Sequence, residues 1–192
     1  MTDADTWPGL GEYDGEPAFV SPHPSSRVRT AVAVSVLLTV GGVALAVVAG
    51  AWFVGLLLAA MFGYLSWVNL RSLRVGSQWL LTPTRFAVVD GGGFHEVAWD
   101  AVTALAPWTR RGIAFLNVTA PPDSVRSGGS SRVFNGMNVG MSGSVINLRP
   151  AMHVGGAAAN EALLRWCLVP AHRALIGTEE GRRALWATAP GS

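Results

Sequence analysis

The sequence contains an uninterrupted run of 41 uncharged residues, from Thr30 to Leu70, within a chain of 192 residues. A single α-helix of this length would measure about 62 Å, twice the hydrocarbon thickness of a bilayer, which is about 30 Å. Two spans of about 20 residues each account for the run, with almost no loop between them. We therefore predict a transmembrane helical hairpin over residues 27–74, with spans at about 28–49 and 52–73.

Small residues recur at every fourth position in both predicted spans. They are Gly42, Ala46 and Gly50 in the first span and Gly55, Ala59 and Gly63 in the second. Residues four apart lie on one helical face, so each helix presents a smooth stripe that allows close approach of backbones. We expect the stripes to pack the two helices against each other. The alternative is a homo-oligomer formed through the same stripes.

Arginines flank the predicted hairpin on both sides. Arg27 and Arg29 precede the first span, and Arg71 and Arg74 follow the second. By the positive-inside rule, both ends of the hairpin are expected in the cytoplasm. The competing interpretation is a signal peptide cleaved at Ala49-Gly50-Ala51, but an acidic, Pro-rich segment precedes its basic residues, which is unusual for a signal.

The first 26 residues differ in composition from the rest of the chain. They carry five acidic residues and no basic residue, and they combine Pro, Gly and Ser without apolar periodicity. Such a segment buries too little apolar surface to offset the entropy lost on ordering. We predict a disordered acidic tail over residues 1–26.

The residues after Arg74 change to an alternating apolar pattern. Only 14% of the chain is charged, and these charges are concentrated in the residues on either side of the uncharged run. The charge content outside the run is compatible with one small folded domain. The predicted strands are Ser77–Thr82, Arg85–Asp90, Phe94–Trp99, Val102–Trp108, Ile113–Ala120, Ser131–Phe134 and Ser144–Arg149. A polar loop is predicted over Asp123–Ser131, a helix over Ala157–Leu175 that Pro170 interrupts, and a short helix after Thr178. Seven short strands indicate an antiparallel barrel or sandwich.

Two segments of this region resemble the opening hairpins of bacterial pleckstrin-homology-like (PH-like) domains. They are Leu81–Val88 and, after a glycine turn, Val97–Val102. The resemblance covers roughly residues 76–176. It implies a membrane-anchored α+β protein, in which the hairpin tethers a seven-stranded PH-like barrel with a C-terminal helix, residues 75–192, to the cytoplasmic face of the bacterial inner membrane. It further implies a protein-interaction or scaffolding role with no enzymatic activity. Because Arg85 is the only basic residue of the first hairpin loop, a phosphoinositide site is not expected.

A candidate interaction surface lies between two predicted strands. Trp108, Arg110 and Arg111 place an aromatic ring beside two cations, which suits recognition of a partner or of anionic headgroups. The other interpretation is a solvated turn whose tryptophan folds back onto the barrel.

The sequence carries no recognisable catalytic or metal-binding motif. The segment Gly140–Ser144 does not meet the pattern G-x-S-x-G of a catalytic serine. His95, His153 and His172 do not show the paired spacing of metal ligands, and Cys167 is five residues from His172. The charge after Arg74 is too weakly basic for a nucleic-acid binder. We therefore predict no catalytic residue, no metal and no cofactor, and we expect a protein partner. The alternatives are an accessory subunit of a transporter or envelope-assembly complex that docks through its helices, and an enzyme with an unrecognised site.

Overall fold

The computed structural model describes residues 7–110, 112–129 and 144–188, apart from the side chains of Ser25, Arg110 and Thr188. The chain divides into two compact units. The sheet unit comprises Met1–Pro22, Gln78–Val89 and Gly93–Ser192, and the helical unit comprises His23–Ser77 and Asp90–Gly92.

Two long helices form the helical unit, as the uncharged run predicts. Helix α1 spans Ser25–Val48 and helix α2 spans Trp52–Val75, within three residues of the predicted limits. Both are long and apolar enough to cross a membrane, and only 11% of the most apolar window of each helix is buried. A core helix of a water-soluble protein would be mostly buried, so this exposure favours a lipid environment.

Small residues of α1 and α2 lie against each other. A Cβ atom added at Gly55 would lie 2.5 Å from the backbone nitrogen of Ala46 and 2.6 Å from the carbonyl oxygen of Gly42. One added at Gly42 would lie 2.8 Å from the backbone nitrogen of Ala59. Glycine at these two positions therefore lets the backbones approach to a distance that no larger residue permits.

The other two small residues of the predicted stripes have different surroundings. Gly50 lies between the helices with a φ of 65°, a left-handed conformation that favours glycine. A Cβ atom added at Gly63 would meet only the Cγ2 of Thr39, at 3.8 Å, which is an ordinary contact. The hydroxyls of Ser35, Thr39, Ser66 and Ser72 donate to backbone carbonyl oxygens of their own helix, as Ser66 does to Phe62 at 2.8 Å.

Nine strands and two α-helices make up the described part of the sheet unit. The strands are β1 (Gly9–Tyr13), β2 (Glu16–Pro22), β3 (Gln78–Leu81), β4 (Arg85–Asp90), β5 (Gly93–Ala98), β6 (Ala104–Arg110), β7 (Ile113–Thr119), β8 (Val125–Gly129) and β9 (Ile146–Leu148), and the helices are α3 (Gly156–Leu168) and α4 (Glu179–Thr188). They build a six-stranded sheet in the order β1-β2-β3-β4-β5-β8 and a three-stranded sheet in the order β6-β7-β9. The chain is therefore α+β with antiparallel sheets, and the described strands form two sheets without closing into a single barrel.

The five strands predicted between Ser77 and Ala120 coincide with β3 to β7 within two residues at each end. The loop predicted over Asp123–Ser131 is wrong, because five of its residues form β8 and pair with β5. Its Gly and Ser content has low strand propensity, so backbone pairing rather than side-chain pattern holds it in the sheet. The strand predicted at Ser131–Phe134 lies outside the described residues, and the one at Ser144–Arg149 contains the shorter β9.

The disordered tail predicted for residues 1–26 is also wrong over the described part of that segment. Strands β1 and β2 form a hairpin there, and β2 pairs with β3 from Phe19 opposite Leu81 onward. Ala18 and Phe19 are fully buried, and Trp7 is nearly so. Because the partner strand follows the helical hairpin, a search for local apolar periodicity misses this burial.

A buried hydrogen-bond network joins β2 to α3. Asn160 of α3 is fully buried, and its Oδ1 accepts a hydrogen bond from the Ser21 hydroxyl at 2.6 Å. Its Nδ2 donates to the carbonyl oxygens of Val154, at 2.8 Å, and Gly156, at 2.7 Å. The Trp7 indole donates to the same Ser21 oxygen at 3.3 Å. The network satisfies its own polar atoms and so fixes where β2 meets the helix.

The C-terminal helices follow the sequence signals. The helix predicted over Ala157–Leu175 is divided, because α3 ends at Leu168 and a 3₁₀ helix occupies Pro170–Leu175. Thr178 caps α4 as predicted, since its hydroxyl accepts a hydrogen bond from the Gly181 backbone at 3.0 Å.

Candidate functional site

The aromatic residue of the predicted interaction surface lies near the end of β6. Trp108 stands opposite Phe115 of β7, with ring centroids 5.3 Å apart, and the guanidinium carbon of Arg149 lies 4.9 Å from the Phe115 centroid. We call Trp108, Phe115 and Arg149 the aromatic–arginine face. The Arg110 side chain and all of Arg111 lie outside the described residues.

Side-chain alternation separates this face from the core. Leu116 and Val118 point into the hydrophobic core, so Phe115 and its cross-strand partner Trp108 point to the other side of the same strands. Both rings are half-buried, whereas Arg149 and the neighbouring Ala106 are exposed. The face offers ring edges and a cation, which suit recognition of an anionic or aromatic group.

Two members of the face were not predicted as site residues. Phe115 is implied by the alternation of side chains along a β-strand, because it shares a side with Ile113 and not with Leu116. Arg149 follows β9, and its approach depends on the pairing of β7 with β9, which no local pattern of the sequence encodes.

A second group of polar side chains surrounds Glu96, and its assembly is not evident from the sequence. The Glu96 side chain is 7% exposed, and its Oε1 lies 2.7 Å from Nε of Arg126 and 3.5 Å from Nη1 of Arg85. Its Oε2 accepts a hydrogen bond from the Tyr13 hydroxyl at 2.9 Å. We define the Glu96 cluster as Tyr13, Asp14, Glu16, Arg85, Glu96 and Arg126.

The Glu96 cluster requires a strongly curled sheet. Tyr13 lies in β1 and Glu96 in β5, four positions along in the strand order. In a flat sheet, with about 4.8 Å between strands, their backbones would be about 19 Å apart. Their hydrogen bond therefore needs the sheet to bend until the β1–β2 hairpin lies over β4 and β5.

The cluster shifts the protonation equilibria of its members. Burial, then the hydrogen bond to Glu96 and its negative charge, raise the pKa of Tyr13 to about 12. Burial alone would raise the pKa of Glu16, but hydrogen bonds from neighbouring threonines, Thr84 among them, and the charge of Arg85 lower it overall. Burial opposes the charge of Arg85, yet Glu96 and Glu16 raise its pKa above the usual value.

A pocket of about 280 Å³ adjoins the cluster. Its lining includes Thr84, Arg85, Glu96, Ser124 and Arg126. The Thr84 hydroxyl donates at 2.7 Å to Glu16, whose lowered pKa makes it a weak base, and the Ser124 hydroxyl donates to the carbonyl oxygen of Pro121 at 2.6 Å. The hydrogen bonds and ion pairs of the Glu96 cluster hold the β1–β2 hairpin against the sheet.

The free energy of unfolding is expected to decrease as the pH falls below the usual glutamate pKa of 4.5, because Glu16 has a lowered pKa in the folded state. The stabilisation is present above that pH and is lost as Glu16 takes up a proton. Glu16→Gln should flatten this acid dependence in thermal unfolding followed by circular dichroism in detergent micelles. The control is Glu161→Gln, which removes only a surface pair with Arg165. Equal pH slopes for Glu16→Gln and the unaltered chain would contradict the assignment.

The residues weighed as possible metal ligands are dispersed. Cys167 is fully buried, and burial raises the pKa of its thiol well above the usual value. The His153 ring lies 4.1 Å from that of Trp79, and the His172 ring stacks on Trp166 at 4.5 Å. Among the described residues, no three His, Cys, Asp or Glu side chains are placed to hold a metal ion.

The chain thus offers two structured polar surfaces, the aromatic–arginine face and the Glu96 cluster, together with two apolar helices. The face has two half-buried rings and an exposed arginine, and the polar groups of the cluster largely bond to one another. Comparison with protein-family models, with curated proteins and with solved structures finds no match to this chain.

Proposed function

We propose that this chain is an integral protein of the bacterial inner membrane that acts by binding rather than by catalysis. Its two helices form a transmembrane hairpin, and its sheet unit is a PH-like domain held at the cytoplasmic face, where it binds another protein. Seven described strands follow the helices, β3 to β9, and helix α3 comes after them, which is the element order expected of a PH-like domain. The two additional strands, β1 and β2, extend it on one edge.

The observation that carries the proposal is the insertion of the helices between two neighbouring strands. Strand β2 ends at Pro22 and β3 begins at Gln78, and these two residues are paired in antiparallel register. The backbone nitrogen of His23 donates to the carbonyl oxygen of Ser77 at 2.7 Å. Because the chain leaves and re-enters the sheet at one point, both helix ends belong on one side of a membrane.

The arginines at these helix ends support the cytoplasmic assignment. Arg27 and Arg29 lie in the first turns of α1, and Arg71 and Arg74 lie in the last turns of α2. Positive residues beside a span are retained on the cytoplasmic side. Since all four lie at the same end of the hairpin, they favour the same orientation.

Reporter fusions test this topology. A reporter before Met1 and another after Ser192 are expected to give cytoplasmic signals, and one inserted at Gly50 an extracytoplasmic signal. Replacing the four flanking arginines by glutamine should weaken this preference while leaving the two termini on the same side. Termini on opposite sides would contradict the hairpin, and two extracytoplasmic termini would contradict the cytoplasmic domain.

Chemical cross-linking in intact membranes tests the binding role. Purification of the cross-linked full chain is expected to recover a distinct protein bound to the sheet unit. Gly55→Leu separates this from docking through the helices, because the leucine perturbs helix packing while leaving the sheets unaltered. Loss of the partner in that variant would favour an accessory subunit that docks within the membrane, and a strictly monomeric chain would contradict both roles.

A further inference from the structure

We infer that the aromatic–arginine face is a binding site for the anionic phospholipid surface of the membrane that the helices cross. The inference rests on the membrane tethering in the proposed function and adds a second contact with the bilayer, separate from the spans and from any protein partner. Three independent features of the sheet unit support it: charge, residue type and reach.

The charge of the sheet that carries the face is one-sided. Of the five arginines between Ala101 and Asn160, Arg149 lies at the face and Arg126 pairs with Glu96 in the other sheet, and the side chains of the remaining three lie outside the described residues. The strands of the three-stranded sheet contain no carboxylate, although the Glu96 cluster in the other sheet contains three. The face therefore presents an exposed cation on a sheet whose described strands lack a carboxylate, which complements an anionic surface.

The residue types are those that favour the boundary between headgroups and acyl chains. Tryptophan there combines an apolar ring with a polar edge, and arginine pairs with phosphate through several donors. Trp108 and Phe115 are half-buried, so part of each ring remains accessible, and Ile113 in the same hairpin is 46% exposed. Arg149 lies over one ring and is exposed, so its guanidinium remains free to meet a phosphate.

The connections between the sheet unit and the helices are also short. Only two residues separate β2 from α1 and only two separate α2 from β3, a length of about 7 Å at each connection. Arg149 directly precedes a short 3₁₀ helix, Pro150–Met152, and beyond it the backbone of Val154 donates to the carbonyl oxygen of Pro22 at 3.0 Å. Pro22 is the last residue of β2, so this part of the sheet unit adjoins the point where the chain leaves for the membrane.

A spin-label experiment on the full chain tests the inference. Ala106→Cys places a nitroxide on the exposed position beside Trp108, and Leu10→Cys places one on β1 as a control for the other sheet. Native Cys167 is fully buried with a raised pKa, so it competes poorly for the label. The chain is reconstituted into nanodiscs of phosphatidylcholine alone or of an equal mixture with phosphatidylglycerol. The readout is the accessibility of each label to oxygen, which enters lipid, and to a water-soluble nickel chelate.

The label at residue 106 is expected to gain oxygen access and lose chelate access only in the anionic discs. This contact should weaken in about 1 M salt, where the screening length is about 3 Å. Arg149→Gln should reduce the ratio of lipid-contacting to free label about fivefold, the effect of one arginine near an anionic surface. The matched control, Arg165→Gln, removes an exposed arginine of α3 outside the face and should leave the ratio unchanged.

Three results would overturn the inference. They are equal label environments in neutral and anionic discs, an equal effect of the two arginine substitutions, and protection of residue 106 in native membranes but not in pure lipid. The last result would assign the face to an acidic protein partner. A chain that inserts normally while its label stays in water refutes only the lipid site, whereas a chain that fails to insert into either disc refutes the membrane tether as well.

Discussion

Replacing Asn160 by alanine is expected to lower the free energy of unfolding of the sheet unit by about 3 kcal/mol. The side chain is fully buried: its Oδ1 accepts a hydrogen bond from Ser21, and the two hydrogens of its Nδ2 serve three carbonyl oxygens within 3.2 Å. Alanine leaves the Ser21 hydroxyl without this acceptor and removes the donor from the carbonyl oxygens of Pro150 and Val154. Each buried polar group that loses its partner retains the cost of its lost hydration.

The measurement is urea unfolding in detergent micelles, followed by near-ultraviolet circular dichroism of the core tryptophans. Glu161→Ala is the matched control, because Glu161 is the next residue of α3 and makes only a surface pair with Arg165. We expect this control to change the free energy of unfolding by less than about 0.5 kcal/mol. A loss for Asn160→Ala no larger than that of the control would show that the network is dispensable.

Gly55→Ala is expected to destabilise the helical unit by about 2 kcal/mol, although it adds a single methyl group. The added Cβ would lie 2.5 Å from the nitrogen of Ala46 and 2.6 Å from the oxygen of Gly42. Both are backbone atoms, so no side-chain rotation relieves the clash and the helices must separate. The close packing along the rest of the interface then weakens as well.

Gly41→Ala is the matched control, and we expect the opposite sign. A Cβ atom at Gly41 would meet nothing within 4 Å, and alanine in a helix interior is favoured over glycine by about 0.5–1 kcal/mol. Thermal loss of helical circular dichroism in micelles measures both variants. A fall in the melting temperature for Gly55→Ala with none for Gly41→Ala is expected, and equal shifts would contradict the packing of the two stripes.

Local patterns of the sequence predict much of this fold. The uncharged run, the alternation between Ser77 and Ala120 and the cap at Thr178 are each confined to a few neighbouring residues, and each element formed where it was expected. Strands β1, β2 and β8 escaped prediction because their stability comes from pairing with distant strands. Their acidic or Gly-rich composition, taken locally, is typical of loops.

The candidate site likewise combines residues that local sequence predicts with residues that depend on distant strand pairing. Trp108 stands out in sequence because it precedes two arginines, and Phe115 follows from strand alternation. The approach of Arg149 and the assembly of the Glu96 cluster depend on sheet pairing and curvature. The hydrogen bond between Tyr13 of β1 and Glu96 of β5 requires a bend of the whole sheet. This bend is the sum of many small twists between strands and is not a property of either residue.

The position of the helices between β2 and β3 imposes an order on the assembly of the sheet during synthesis. Strand β2 is made before the helices and its partner β3 after them, and a two-stranded hairpin has little stability in water by itself. The β1–β2 hairpin therefore lacks a partner on the β2 edge until β3 has been synthesised. In the proposed topology, the six-stranded sheet is complete only when both helices have crossed the membrane. A chain whose second helix fails to cross leaves β2 without β3 and Phe19 exposed to chaperones and proteases.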